Sequence, residues 1–250
     1  MSKFLSVHKN HGFVILLLVF LSPNIAMGQM FSVEELESRP IMASSAITFG
    51  PDFLEMSSRS DNDNSTAQYD WSDIVYRLRV ELPGIHAYIA YGNDLGETDA
   101  DTLNYFNVGA SVYGHTPIAR NERVGLELPF RLTMDYERVR STDPNQPEVD
   151  YFRQNSISLG LGLGGYFNIH RGIRLRAEAM PGYGFAVSAL GRDSGQLASF
   201  ESAVRLHFDQ LFSRYGVVIG YNYSFRRYSG SDDIMLHNIS GNNILIGISF

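Results

Sequence analysis

Residues 124–136, VGLELPFRLTMDY, decide the fold, because apolar side chains alternate with polar or small ones along the whole stretch. Successive side chains of a β-strand point to opposite faces, so this stretch has one apolar face and one polar face. Residues 74–82 and 173–187 follow the same alternation. No helical pattern of comparable length follows the apolar run near the N-terminus, so the chain is predicted to be all-β.

Ten strands of this kind are predicted, and their connections alternate between tight turns and longer polar loops. Pro83-Gly84 is typical of the turns, and residues 94–104 are typical of the loops. This arrangement predicts an antiparallel up-and-down transmembrane β-barrel, which has an even number of strands. A count of eight stays open if the first pair is irregular. The predicted strands lie near residues 45–56, 74–83, 85–92, 105–118, 124–138, 152–169, 173–188, 197–209, 217–228 and 242–250.

The direction of the apolar faces separates a membrane barrel from a soluble one. In a soluble barrel these faces, with rings such as Phe130 and Phe185, would all have to fit one small lumen, which holds little more than one set of side chains. We therefore expect them to point to lipid, with aromatic residues near the strand ends forming two interfacial girdles. These aromatic residues are Tyr69, Trp71, Tyr105, Tyr136, Tyr151 and Tyr228 on the loop side, and Phe167, Phe212, Tyr215 and Phe250 on the turn side.

The N-terminus has the pattern of a cleaved secretory signal. Lys3 and Lys9 precede an apolar run over residues 13–21, and the small residues Ala26 and Gly28 follow it. The run is too short for a membrane anchor, which needs ~20 residues. We predict a signal peptide over residues 1–28, a short periplasmic lead over residues 29–43 and an outer-membrane barrel over residues 44–250.

Composition excludes several classes of function. The 250 residues include no cysteine, which excludes a disulfide scaffold, a thiolate zinc site and a cysteine nucleophile. A formal net charge of −7 argues against nucleic acid as a partner, because nucleic-acid binding requires a basic face. Phosphate-binding glycine loops and metal-histidine motifs are also missing from the sequence. We expect no cofactor and no metal site.

The last predicted strand carries a family resemblance. Residues 244–250, ILIGISF, alternate and end on Phe250. Together with the export signal, this strand resembles the bacterial outer-membrane β-barrel class, although no subfamily is indicated. In that class the last strand and its terminal aromatic residue are read by the barrel-assembly machinery. The resemblance therefore implies Phe250 as the assembly signal, with the assembly machinery and outer-membrane lipid as partners, and it implies no activity.

The polar faces of the strands predict the content of the lumen. Seven arginines face seven acidic residues there, whereas an ion-selective pore would carry rings of one sign. Because an unpaired buried charge is costly, the balance predicts a salt-bridged, largely filled lumen. A narrow channel for small solutes is the alternative. The residues are Arg77, Arg79, Arg131, Arg174, Arg176, Arg205, Arg226, Glu81, Glu127, Asp135, Glu137, Glu178, Glu201 and Asp209.

Candidate chemistry outside the lumen is sparse. The long loops are acidic and are predicted to form a soluble outer surface that could meet an external partner. His237 and Ser240 resemble the His/Ser pair of outer-membrane lipid A deacylases, but a spacing of three puts them on opposite faces of a strand. Proteolysis by rim acids and a histidine would again need His237, which no paired-aspartate motif accompanies. We predict a non-enzymatic structural or interaction role in the cell envelope, with a lipid or peptide hydrolase as the less favoured alternative.

Overall fold

A computed structural model describes residues 45–60, 69–98, 101–141, 150–170, 172–188, 194–212, 215–230 and 235–250. The predicted signal peptide over residues 1–28 and the lead over residues 29–43 lie outside the described residues, as do most of the long loops. Among the described residues, no helix is long and apolar enough to cross a membrane.

The described residues form a closed antiparallel barrel. Its strands are β1 (Ala46–Ser60), β2 (Tyr69–Leu82), β3 (Ile85–Thr98), β4 (Asp101–Arg120), β5 (Val124–Ser141), β6 (Asp150–Leu161), β7 (Leu163–His170), β8 (Ile173–Ser188), β9 (Ser194–Phe212), β10 (Tyr215–Gly230) and β11 (Met235–Ser249). Strands that are neighbours in sequence pair with each other, except β6 with β7, and β1 pairs with β11 to close the ring. Strands β6 and β7 share the same two neighbours, β5 and β8, so they are two parts of one wall strand. The prediction of a ten-stranded up-and-down barrel is therefore confirmed.

The wall is interrupted between β6 and β7 at Gly162, where a single continuous strand was predicted. A Cβ at Gly162 would lie 2.2 Å from the Ala179 carbonyl oxygen, so only glycine fits this close approach. The Gly162 N–H donates to the Pro129 carbonyl oxygen at 3.0 Å. Pro129 on β5 and Pro181 on β8 flank the break, and neither can donate a ladder hydrogen bond.

The outer wall is apolar over the part that we call the lower barrel, which extends from the tight turns toward the loops. Exposed large apolar side chains occur on every strand of this wall. A continuous belt of this kind far exceeds the apolar patches of a soluble monomer and fits a bilayer. The upper edge of the belt is marked by Phe53, Ile74, Tyr91, Phe106, Tyr136, Ile157, Phe185, Phe200, Tyr223 and Ile244.

Most strands extend past the belt toward the loops, and we call this loop-side part the upper barrel. Strand β11 begins at Met235, well before the predicted residue 242, and β2 begins at Tyr69, before residue 74. Along this part of β11, Ile239 is buried inside the barrel, whereas Asn238 and Ser240 face outward. The polarity of the two faces is thus reversed relative to the belt. The reversal explains why the sequence pattern predicted polar loops here.

A hydrophobic core fills the upper barrel, and we call it the apolar cap. Trp71, Tyr105 and Tyr228 belong to it, so the prediction that they form a lipid-facing girdle is wrong. Tyr136 stays on the outer wall, and the turn-side aromatic residues remain exposed as expected. The side chains of Tyr69 and Tyr151 lie outside the described residues. The cap consists of Leu54, Met56, Trp71, Val75, Ala90, Leu95, Tyr105, Val139, Phe152, Ala186, Leu197, Tyr228 and Ile239.

Candidate functional site: the barrel lumen

The predicted lumen residues share the inward face. All seven predicted arginines and all seven predicted acids are buried or half-buried there, and each arginine lies within 4.0 Å of a carboxylate. Sequence reasoning missed Asp52, a charged member of the network whose side chain is 1% exposed, and the uncharged members Asn107 and Tyr113. The position of Asp52 on β1 has the same inward parity as Thr48, so the alternation itself could have identified it.

One pair in the lower barrel reaches across the lumen. Arg205 Nη1 on β9 donates a short hydrogen bond to Glu81 on β2, although β1, β11 and β10 lie between these strands in the wall. Glu81 also lies 3.8 Å from Arg79 Nη1 on its own strand. Both partners of the crossing pair are buried, which removes them from water and makes each depend on the other.

A second group of charges ties β5, β8 and β9 together. Arg131 donates a short hydrogen bond to Glu201 and a second one to Glu178 at 3.2 Å. Arg176 Nη2 lies 3.4 Å from Glu127 and 3.9 Å from Glu178. Glu178 therefore pairs with two arginines, and the group forms a network rather than separate pairs.

Tyr113 on β4 joins this second group through its ring and its hydroxyl. The guanidinium carbons of Arg131 and Arg176 lie 5.5 Å and 5.8 Å from the ring centroid. Arg176 Nη2 donates to the Tyr113 hydroxyl at 2.7 Å, and the hydroxyl donates to Glu178 at 3.2 Å. Nearer the turns, Arg174 and Asp209 form a further pair at 3.4 Å.

A third group lies just below the apolar cap and also crosses the lumen. Arg226 on β10 reaches Asp135 at 2.6 Å and Glu137 at 3.1 Å, both on β5. The hydroxyls of Tyr105 and Tyr228 donate to Glu137, the latter at 2.9 Å. The two tyrosines have their rings in the cap, so Glu137 connects the charged network to the apolar core above it.

A short chain of polar contacts extends this third group to β1. Asn107 Nδ2 donates to Asp135 at 2.6 Å, and Asn107 Oδ1 accepts from Arg77 Nη1 at 3.3 Å. Arg77 Nε in turn donates to Asp52 at 2.7 Å. A small polar chamber beside these residues has about 20 Å³ of free volume. This is room for about one water molecule.

The candidate catalytic residues do not meet. His237 lies in the upper barrel, with its ring 5.0 Å from that of Phe152, and burial lowers the pKa of His237 to about 4. Ser240 faces outward opposite Glu55 on β1. The two residues are therefore on opposite faces, as their spacing predicts. Phe250 follows β11 with half of its side chain exposed, and its N–H donates to the Ser45 carbonyl oxygen at 2.9 Å.

Comparison with known proteins places this fold in the outer-membrane β-barrel class. No family model and no curated protein matches the chain. Among solved structures, the outer membrane protease OmpT from Escherichia coli matches with a TM-score of 0.50 at 10% identity, covering 88% of this chain and 100% of that one. The transport unit of the autotransporter AIDA-I from Escherichia coli matches with a TM-score of 0.39 at 13% identity, covering 91% and 96%. At this identity the similarity to OmpT shows the fold alone, and it confirms the resemblance to outer-membrane barrels.

Proposed function

We propose that this protein is an integral outer-membrane β-barrel with a filled, salt-bridged lumen and a structural or interaction role in the cell envelope. The observation that carries the proposal is the pair of charge groups that cross the lumen, Arg205 with Glu81 and Arg226 with Asp135 and Glu137. The apolar belt on the outer wall supports the membrane location.

The arrangement of the charges favours a plug over a pore. Cation and anion channels often carry rings of charged side chains of one sign along a water-filled path. Here each lumen arginine has a carboxylate partner, and Glu137 accepts hydrogen bonds from Tyr105 and Tyr228 of the apolar cap. Tyr105 and Val139 of this cap are fully buried. The narrow-channel alternative has no comparable support.

The surroundings of the candidate catalytic groups support a non-enzymatic role. His237 is buried inside the barrel against Phe152, and Ser240 faces outward on the same strand. A hydrolase needs its nucleophile and base within hydrogen-bonding reach of each other. The similarity to the protease OmpT, at 10% identity, supports the barrel fold and identifies no catalytic residues in this chain.

Export, assembly and partners complete the proposal. The signal peptide over residues 1–28 would direct export, and the final strand with Phe250 would be read by the barrel-assembly machinery. The acidic loops would then meet an external partner, with the exposed Asp70 on β2 at the base of one of them.

Planar-bilayer recording tests the filled lumen. Folded protein, verified by a shift of electrophoretic mobility on boiling, should give a flat current trace. Replacing both Arg226 and Glu137 with alanine should produce stepwise currents, because the change removes an ion pair that crosses the lumen and the carboxylate that accepts hydrogen bonds from Tyr105 and Tyr228 of the apolar cap. The matched control replaces the outward neighbours Arg227 and Asn238 with alanine and should stay silent. Regular current steps from the unmodified protein would contradict the proposal and favour the channel.

A further inference from the structure

The polar chamber of about 20 Å³ in the lumen is lined by three side chains with unused hydrogen-bonding atoms. Asp52, Arg77 and Asn222 are each more than nine-tenths buried. Asp52 Oδ1, Arg77 Nη2 and both amide atoms of Asn222 have no hydrogen-bond partner among the described residues. Because a buried polar group without a partner is costly, these four atoms point to an occupant of the chamber.

Strand register places two of these residues on either side of a third polar side chain. Asn222 on β10 is opposite Asn243 on β11, and Asn243 is opposite Asp52 on β1. The amide nitrogen of Asn243 donates to the carbonyl oxygens of Gly50 and Pro51, at 3.4 Å and 2.9 Å. Asn243 is therefore directed toward β1, and it leaves both amide atoms of Asn222 unpaired.

Gly241, the next inward residue of β11 toward the loops, leaves room on the lumen side of this strand. A Cβ at Gly241 would lie 2.8 Å from Asp52 Oδ1 and 3.0 Å from Ser224 Oγ. Ser224, like Asn222, belongs to β10 and lines the chamber. The carboxylate of Asp52 therefore leans across β11 toward β10, where a larger residue at position 241 would displace it.

Asp52 and Arg77 each contribute one unused atom, because their other polar atoms are engaged. Arg77 Nε donates to Asp52 Oδ2 at 2.7 Å, and Arg77 Nη1 donates to Asn107 at 3.3 Å. Arg77 Nη2 remains as a donor, and Asp52 Oδ1 remains as an acceptor. Asn222 adds one donor and one acceptor, and exchanging its two amide atoms leaves this count unchanged. The chamber therefore offers two donors and two acceptors.

We propose that the chamber binds one water molecule, held by Asp52, Arg77 and Asn222. A water molecule donates two hydrogen bonds and accepts two, which matches the four unused atoms. A bound anion would satisfy only the donors, and a bound cation would satisfy only the acceptors. A free volume of about 20 Å³ also fits a single water molecule.

The charges around the chamber balance, which favours a neutral occupant. Three arginines and three acidic residues line the chamber, so their formal charges sum to zero. An ion bound among them would add an uncompensated charge to a buried site, which is costly. The charged lining residues are Asp52, Arg77, Arg79, Glu178, Glu201 and Arg226.

The bound water connects Asn222 on β10 with the ion pair of Asp52 and Arg77 on β1 and β2. Arg77 is already linked to Arg226 on β10 by the chain of polar contacts through Asn107. The water therefore closes a ring of polar contacts across the lumen. The inference rests on the proposed filled lumen and deepens it, because one enclosed water completes the plug and forms no path for solutes.

A crystal structure of the full chain, at a resolution that shows single waters and from crystals soaked in rubidium bromide, tests the proposal. We expect one density peak within about 2.7–3.2 Å of both Asn222 and Asp52, without anomalous signal. An anomalous signal from rubidium or bromide at this peak would show an ion and overturn the proposal. A chamber without density, with Asn222 paired to protein groups, would also overturn it.

The variant Asn222→Leu provides an independent test in solution, because leucine has a similar size and no hydrogen-bonding atoms. Oxygen-17 relaxation dispersion counts long-lived waters, and the count should fall by about one per protein in this variant. Asn155→Leu, at an exposed position on the outer wall, is the matched control and should keep the wild-type count. An equal count in the wild type and Asn222→Leu would overturn the water site.

The gel shift on boiling establishes that each variant is folded, and the wild-type crystal decides the matter if Asn222→Leu does not fold. Failure of the water site is distinct from failure of the filled lumen. A missing water leaves the ion pairs that cross the lumen in place, whereas current steps from the unmodified protein would contradict the filled lumen even with the water bound.

Discussion

The upper and lower barrel use the same strands with opposite chemistry. On β11, the inward Ile239 and outward Asn238 of the upper barrel give way to the inward Asn243 and outward Ile246 of the lower barrel. On β11 the alternation does not shift by a residue between the two regions. What changes is the medium outside the wall, from water to lipid, and with it the side chains that the wall can present. On this strand the inward side chain is apolar where the outward neighbour is polar, and polar where the outward neighbour is apolar.

This contrast makes the two interiors depend on different forces. The apolar cap is stabilised by burial of apolar surface, as in a soluble protein. The lower lumen contains charges that pair with one another in a confined interior, so loss of one partner would leave the other uncompensated. Glu137 joins them, since it accepts from Arg226 below and from Tyr105 and Tyr228 above.

The largest expected effect comes from removing a charge that crosses the lumen. Arg226→Met leaves Asp135 and Glu137 buried without their cation, which should lower the free energy of unfolding by about 3–5 kcal/mol. The outward neighbour Arg227→Met should change it by less than about 0.5 kcal/mol. Urea unfolding in lipid vesicles, followed by the fluorescence of Trp71, measures both. Equal losses of unfolding free energy in the two variants would contradict the distinction between charges that face the lumen and charges that face outward.

A cavity in the apolar cap should have the next largest effect. Leu54 is 1% exposed, so Leu54→Ala should cost about 2–5 kcal/mol through lost burial and an unfilled cavity. The adjacent outward residue in the upper barrel provides the control, and Glu55→Ala should be nearly neutral. The same urea titration applies. A neutral Leu54→Ala would mean that the cap is loosely packed.

A charge placed on the outer wall distinguishes the two regions directly. Ile246→Arg exposes a guanidinium to hydrocarbon and should cost about 2–4 kcal/mol, whereas Asn238→Arg in the upper barrel should cost only about 0–1 kcal/mol. Both residues lie on β11 and face outward. Comparable costs in lipid vesicles would place the upper barrel within the bilayer and contradict the boundary drawn here.

The smallest predicted effect concerns pH and His237. Burial lowers its pKa in the folded state to about 4, below an ordinary value of 6.5, so the unfolded chain takes up the proton first as pH falls. Stability is therefore complete above pH 6.5 and declines toward pH 4, with a loss of about 1–2 kcal/mol between pH 7 and pH 5.5. His237→Gln should flatten this part of the profile relative to the wild type. An unchanged slope would indicate that His237 is hydrated.

Alternation was sufficient to predict the outward apolar faces and the polar inward faces, and together with the turns and loops it favoured the ten strands that the structure has, with eight left open. It was not sufficient to predict the cap. Trp71, Tyr105 and Tyr228 have inward parity, but their place near the strand ends suggested an interfacial girdle. Alternation also indicates which face of a strand a side chain lies on, but it does not indicate which residue that side chain contacts. Which carboxylate Arg205 meets depends on the tilt and stagger of strands that are distant in sequence.

A double-mutant cycle on Arg205 and Glu81 tests most directly whether charges paired across the lumen hold this barrel. Arg205→Met and Glu81→Met should each cost about 3–5 kcal/mol of unfolding free energy, because each leaves a buried charge alone. The double variant should cost clearly less than the sum of the two single losses, because neither crossing charge is then left alone, and the loss that remains reflects Arg79, whose ion pair with Glu81 is also removed. If the two losses simply add, the residues do not act as a pair, and the salt-bridged lumen is wrong.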